Sequence, residues 1–343
     1  MSVSRVVSED RVPTAGGATA AVPPPPAYTA HPLRFLAILT VAALIVPFLA
    51  GESAYSTDLL NTALIHSILV LGFYWCFSLG GRFTFGVFAM YATGAYISVW
   101  AGNHLGGFWA GLLVAVLATG ALGCLMQLVF ARTALIFFAI VTMAIGGLLI
   151  IVFREWTSFT GGYEGLSEIA TPSILGLPLD TAESRYYLIL GILVLFLLAT
   201  ALFLRSPAAR DLRMAKDKGP VAAVAGLRPK HLQLAAFGVG SAMQGAAGSL
   251  YAHNSGYFSL EAFNIDISLL VLLMLLLGGM NSMYGPVIGA VVLVYLPELL
   301  RGVQDYADFI YGVAVLVIVV AFPSGIAGLR QTVERRLRRA GSA

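Results

Sequence analysis

Side chains able to do chemistry are few in this sequence, and their spacing argues against catalysis. The five histidines, His31, His66, His104, His231 and His253, contain no HExxH pair. No GxSxG nucleophile turn and no GxxxxGK[ST] phosphate loop occurs, so the chain has no seat for serine hydrolysis or for ATP. Cys76 and Cys124 both fall inside apolar runs and read as small buried hydrophobes, not as metal ligands or a disulfide. The carboxylates Glu52, Asp58, Glu261, Asp266, Glu298, Asp305 and Asp308 stand at or near the ends of apolar runs. A charge in mid-membrane would point to ion-coupled transport. The middles of the runs hold neutral groups instead: Asn61, Thr62, His66, Ser67, Gln127, Thr142 and Gln244. Such groups serve either as hydrogen bonds between helices or as the wall of a pathway. As a wall, with Asn61, His66, Thr142 and Gln244 as the candidate lining, they suit a zwitterion with an apolar side chain. The pattern implies no enzyme, no cofactor and no metal.

The elements that must position these residues are membrane spans. The chain is 59% hydrophobic and 11% charged, with a mean hydropathy of +0.87, whereas a soluble domain carries about 25% charged residues. Apolar runs long enough to cross a hydrocarbon core of about 30 Å recur along it. They fall at Leu33–Ala50, Leu59–Leu79, Phe83–Ala101, Phe108–Phe130, Ala134–Phe153, Tyr186–Leu204, Leu232–Ala252, Ile267–Gly279, Gly285–Leu300 and Asp308–Gly325. The expected fold is an all-α integral membrane protein of about ten transmembrane helices. Residues 1–31, with Pro23–Pro26 consecutive, read as a disordered cytoplasmic tail, residues 32–328 as the membrane domain, and residues 329–343 as a basic cytoplasmic tail. Arg5, Arg11, Arg34, Arg82, Arg132, the Arg205–Lys230 loop and the Arg330–Arg339 cluster share one face of this arrangement. Only Arg154, Arg185 and Arg301 fall on the other. That asymmetry puts both termini in the cytoplasm. It also accounts for the net charge of +3, so lipid is the expected surround and no nucleic acid is implied.

Three stretches stand out from the spans. The loop RSPAARDLRMAKDKGPVAAVAGLRPKHLQ, Arg205 to Gln233, holds seven Lys/Arg against two Asp, which fixes it on the cytoplasmic side. Within it Arg213–Gly226 is expected to form a surface helix, stopped by Gly226 and Pro229, on which a soluble partner docks. Arg213, Lys216 and Asp217 would supply polar contacts there, and Ala222 and Ala223 an apolar face. The second stretch is the break at Gly278, Gly279, Gly285 and Pro286. Thirteen residues from Ile267 to Gly279 rise only about 20 Å as a helix, so the break is either non-helical backbone at membrane depth or a tight cytoplasmic turn with the span extended back to Asn264. The third is the external loop around Gly161, Gly162, Tyr163 and Glu164, a docking surface or outer gate, or else a plain glycine turn. Small residues at GxxxG spacing, Gly107–Gly111 and Gly285–Gly289, and along Gly238–Ser249, are expected to let helices approach closely.

Several of these motifs together resemble the permease family of ATP-binding-cassette importers for branched-chain amino acids. The matching parts are the R-x-L-R…AA…G loop (Arg210, Leu212, Arg213, Ala222, Ala223, Gly226), AGSLYAH at Ala247–His253, LLMLLLGGMNSMYGP at Leu272–Pro286 and LPELLR at Leu296–Arg301. FFAIVTMAIG and WTSFTGGYEGL (Trp156–Leu166) are similar to the family's fifth span and external loop. The pattern departs at Lys216-Asp217-Lys218-Gly219-Pro220, where family members usually carry an acidic pair. The resemblance implies a fold like that of vitamin-B12-importer permeases. It also implies as partners a second homologous permease, two ATPase subunits and an extracytoplasmic substrate-binding protein. Relatives within the family handle urea, short amides or aromatic acids. An ion-coupled secondary carrier or channel working alone is the alternative of another class, against which the lack of mid-span charge and the basic loop argue.

Overall fold

The computed structural model describes residues 36–37, 39–41, 43–44, 54–167, 169–174, 177–217, 228–299 and 312. The expected tails and the expected tenth span, Asp308–Gly325, lie outside the described residues except for position 312, as does most of Leu33–Ala50. The chain runs through α1 (Ala54–Tyr74), continued by a π-turn (Trp75–Leu79), then α2 (Val87–Leu105), α3 (Phe108–Val129) and α4 (Leu135–Glu155). A short α5 (Thr157–Thr160) and a two-stranded hairpin, β1 (Ser173–Ile174) with β2 (Leu177–Pro178), fill the loop before α6 (Ala182–Arg205). There follow α7 (Pro207–Asp217), α8 (Pro229–Ser255), α9 (Ile265–Gly278) and α10 (Gly285–Leu299). Among the described residues five helices are long and apolar enough to cross a membrane, so the chain is a multi-pass helical membrane protein.

The hub is α8, and its composition explains why. Pro229 sits in its first turn, where a missing N–H costs nothing, and Gly256 closes it at a φ of +69°. Between them Gly238, Gly240, Ser241, Gly245, Gly248 and Ser249 are all buried, and the helix packs on α1, α2, α3 and α7. At two crossings backbone meets backbone. A Cβ at Gly72 of α1 would strike the Gly240 carbonyl at 2.5 Å, and one at Gly94 of α2 would fall on Gly245 itself. Ser98 and Ser249 exchange a hydroxyl–hydroxyl bond of 2.6 Å between α2 and α8. In lipid there is no hydrophobic drive between helices, so close approach of this kind is what holds them.

Around the hub the rest is fastened at its ends. The Trp75 indole N–H of the π-turn donates to Thr200 Oγ1 of α6 at 2.9 Å. Arg82, in the turn after it, donates to the Thr133 carbonyl at 3.0 Å and to the Ala131 carbonyl, with its guanidinium over the Phe138 ring at 5.3 Å. Arg82 thereby clamps the α3–α4 turn, and burial draws its pKa down from the ordinary value through lost hydration. Toward the opposite end, Tyr91, Tyr96, Phe258 and Phe263 stack edge to face in one cluster.

Candidate functional site

The four polar residues expected to line a pathway do not meet in one place. Asn61 donates to the Ala182 carbonyl at 3.2 Å and to Asn254 Oδ1 at 3.1 Å, tying α1 to the ends of α6 and α8. His66 bonds through Nδ1 to the Thr62 carbonyl one turn back, at 2.9 Å. Thr142 donates to the Ala139 carbonyl at 2.8 Å and accepts the Phe85 N–H at 3.3 Å, which anchors the start of α2 on α4. Gln244 is 1% exposed, wedged beside Gly72, with Nε2 at 3.8 Å from Cys76 Sγ. Each contact joins one turn or helix to the next.

The surface helix of the basic loop begins at Pro207, six residues before the expected Arg213, and its described part ends at Asp217. Residues 218–227, including Ala222, Ala223 and Gly226, lie outside the described residues. Ala209, Leu212 and Ala215 form the buried face of α7, against α8 and the π-turn, while Arg210, Met214 and Lys216 are exposed and Arg213 is half-buried. Lys216 is not wholly free for a partner: Nζ donates to the Ser78 carbonyl at 2.8 Å, and its stem covers Gly81.

The glycine break is a turn between two antiparallel helices. Asn264 is the N-cap of α9, so the helix starts two residues before the expected Ile267, and Gly279 leaves it at a φ of +108°. A Cβ on Gly278 would fall on Gly285, and one on Gly289 would fall on the Met274 carbonyl. Pro286 is buried in the first turn of α10.

At the far end of α4 the glycine loop is a shaped object. Gly161, Gly162 and Gly165 take φ values of +70°, +60° and +74°, and Thr160 Oγ1 accepts the Gly162 N–H at 3.1 Å. Leu166 and Phe258 exchange backbone bonds of 3.0 and 3.2 Å, and the Tyr257 hydroxyl donates to the Glu164 carbonyl at 3.2 Å. These fix the loop onto the segment that leads into α9. Between that segment, α2 and α4 lies a cavity of about 470 Å³, in the size range of small-molecule sites. Phe88, Met143, Ile150, Ile151, Leu260 and Phe263 give it apolar walls. Arg154, Tyr163, Glu261 and Asn264 add polar groups at the rim, and none of the four expected pathway residues reaches it. The Arg154 guanidinium sits 5.0 Å over the Tyr163 ring. Of the expected loop residues only Tyr163 lines the cavity. Sequence reasoning missed Arg154 and Glu261, although an arginine on the face that positive charge avoids was the available signal.

These features sit in a recognisable lineage. The family model described as branched-chain amino acid transport system/permease component matches residues 55–321. The high-affinity branched-chain amino acid transport system permease protein LivM of Escherichia coli is 29% identical over 316 residues, covering 85% of this chain and 74% of the relative. The protein of the same name from Salmonella typhimurium is 30% identical over the same shares. A probable branched-chain amino acid transport permease protein LivM of Methanocaldococcus jannaschii is 26% identical over 274 residues, 73% of this chain and 77% of its own length. No solved structure matches the chain. With the match running from the first turn of α1 past the end of α10, the chain belongs to the branched-chain amino acid transport system permease family, whose members are transport permeases and not catalytic enzymes.

Proposed function

We propose that this chain is a membrane subunit of an ATP-driven importer for branched-chain amino acids. The observation that carries the reading is the family match over residues 55–321, together with relatives named as permeases of that transport system. The chain holds no phosphate loop, so ATP is hydrolysed by separate subunits. Its partners in this reading are a second homologous permease, two ATPases and an extracytoplasmic binding protein. Ten spans of the vitamin-B12-importer type, with both termini cytoplasmic, complete it. The Tyr163 end then faces outward and the Lys216 end faces the cytoplasm, in keeping with the basic residues gathered at Arg205–Lys230.

In this reading α7 is the coupling element. Its buried face, Ala209, Leu212 and Ala215, rests on α8 and the π-turn. A push from an ATPase on the outer face around Arg210, Arg213 and Met214 is therefore delivered to the hub, against which α1, α2 and α3 all pack. Close-packed interfaces shift between discrete arrangements instead of deforming smoothly, so such a push would switch the bundle between outward and inward access.

The test is uptake of tritiated leucine into proteoliposomes holding the purified permeases and ATPases, with binding protein added. Uptake into right-side-out vesicles should require ATP inside together with binding protein outside. Uptake driven by a proton or sodium gradient without ATP would establish the carrier reading instead.

A further inference from the structure

We infer that the cavity between α4, the glycine loop and the start of α9 is a weak binding site for a free amino-acid zwitterion with a branched apolar side chain. The inference rests on the importer reading and names a place where its cargo would pause within the permease. Two opposite charges, Arg154 and Glu261, share the wall of this cavity, yet no ion pair joins them and neither side chain makes a hydrogen bond among the described residues, the Arg154 Nε being buried without a partner. That is not a general property of this end of the molecule. Arg185, the other described arginine there, donates to the Asn254 carbonyl at 3.1 Å and so caps the end of α8.

The Tyr163 ring packs against the Arg154 guanidinium, whose Cζ lies 5.0 Å from the ring centroid. A cation–π contact consumes no N–H, and the buried Arg154 Nε has no partner among the described residues, so guanidinium donors are left for a carboxylate. Asn264 supports the same assignment: it holds the N-cap position of α9 but makes no capping bond, and it lines the cavity. Glu261, acceptor-only when ionised, suits an ammonium group. Between the two ends Met143, Ile150, Leu260 and Phe263 offer an apolar surface for a side chain. A lipid tail would fill the apolar part and leave both charges unmatched. Weakness is expected, because Tyr163 is 70% exposed and the site opens at the surface, and because a transported molecule must be able to leave.

Gly147 supplies a probe of occupancy. It lines the cavity, and a Cβ built on it meets nothing within 4 Å, so a larger side chain enters open space without displacing protein.

The experiment uses the assembled transporter in nanodiscs without binding protein, and measures tritiated leucine binding against three competitors. These are leucine, leucinamide, which lacks the carboxylate, and 4-methylpentanoate, which lacks the ammonium. The wild type should prefer leucine over each analogue by roughly tenfold or more, the scale of one charge-assisted hydrogen bond. Arg154→Gln should erase the discrimination against leucinamide, and Glu261→Gln that against 4-methylpentanoate. Arg154→Lys should restore part of it, and Gly147→Leu should abolish binding. Melting temperature and co-purification of the ATPase verify that each variant is folded and assembled, and any variant failing them is replaced by the others in the reading. If the wild type shows no leucine binding, or if the two charge variants keep full discrimination, the inference falls. ATP- and binding-protein-driven leucine uptake by the same preparation separates that failure from failure of the importer reading, since uptake with no cavity signature defeats only the cavity.

Discussion

Gly94→Ala should cost far more stability than any ordinary glycine-to-alanine change in a helix. The added methyl would land on the Gly245 backbone of the hub helix, not on a side chain that could turn away. Carbon atoms pack at about 3.5–4.0 Å, so α2 and α8 must part locally by roughly 1 Å or more, and a gap of that size forfeits a quarter to a half of each neighbouring contact. We take the upper end of the overpacking range, about 3 kcal/mol, because no rotamer change relieves a clash with backbone. At about 2–4 °C per kcal/mol the melting point should drop by roughly 6–12 °C. The control is Gly191→Ala in α6, where a Cβ meets nothing within 4 Å. That change should be neutral or raise stability by up to about 1 kcal/mol, the helix-propensity gain. In a Cys124→Ala background, which removes the second, half-buried thiol, Cys76, fully buried with its sulfur against Gly240 of the hub, reports the opening through a thiol-reactive dye during a thermal ramp. If Gly94→Ala and Gly191→Ala melt together, the helices are not in backbone contact there and the hub assignment is wrong.

Three further expectations follow from named contacts. Trp75→Phe removes the indole N–H that reaches Thr200 and should lower stability by about 1 kcal/mol, measured in the same thermal assay, because Thr200 keeps its bond to the Phe196 carbonyl. Met214→Glu places a carboxylate on the exposed face of α7 while leaving Ala209, Leu212 and Ala215 untouched. It should reduce co-purification of the ATPase without changing the melting point, and full retention would mean that α7 is not the docking face. A reporter inserted at Tyr163 should read as extracytoplasmic and one at Lys218 as cytoplasmic; either result reversed would overturn the proposed sidedness.

Much of the bundle was legible because lipid-facing helices must be apolar over a fixed length. The expected spans Phe108–Phe130, Ala134–Phe153 and Gly285–Leu300 differ from α3, α4 and α10 by at most two residues at either end. The site was much less legible. Asn61, His66, Thr142 and Gln244 stand out because polar groups in apolar runs are costly, but that cost is met equally well by a bond to the preceding turn, as at His66, or to a neighbouring segment, as at Asn61, Thr142 and Gln244. The cavity combines residues from α2, α4, the glycine loop and the segment before α9, which meet through long-range contacts such as the Leu166–Phe258 backbone pairing, the Tyr257–Glu164 bond and the Tyr91–Phe263 ring contact. No local pattern encodes such a meeting.

The hub makes the same point from the other direction. Of the helices longer than α9 and α10, α2 and α8 are the two least apolar by hydropathy, although both are expected as spans, and they are the two that meet at Gly94 and Gly245. Hydropathy measures what a helix must show to lipid. A helix enclosed by others is released from that demand, and its sequence can be spent on small residues that bring backbones together. In this chain, then, low hydropathy within a helix of spanning length marks the centre of the bundle. The serines, glycines and Gln244 of α8 are informative about packing because they are uninformative about lipid. A substitution that raises the hydropathy of α8, such as Gly248→Leu, should make it a more apolar helix yet wreck the fold, read as loss of folded protein on detergent extraction, since a Cβ there falls on the Tyr91 carbonyl.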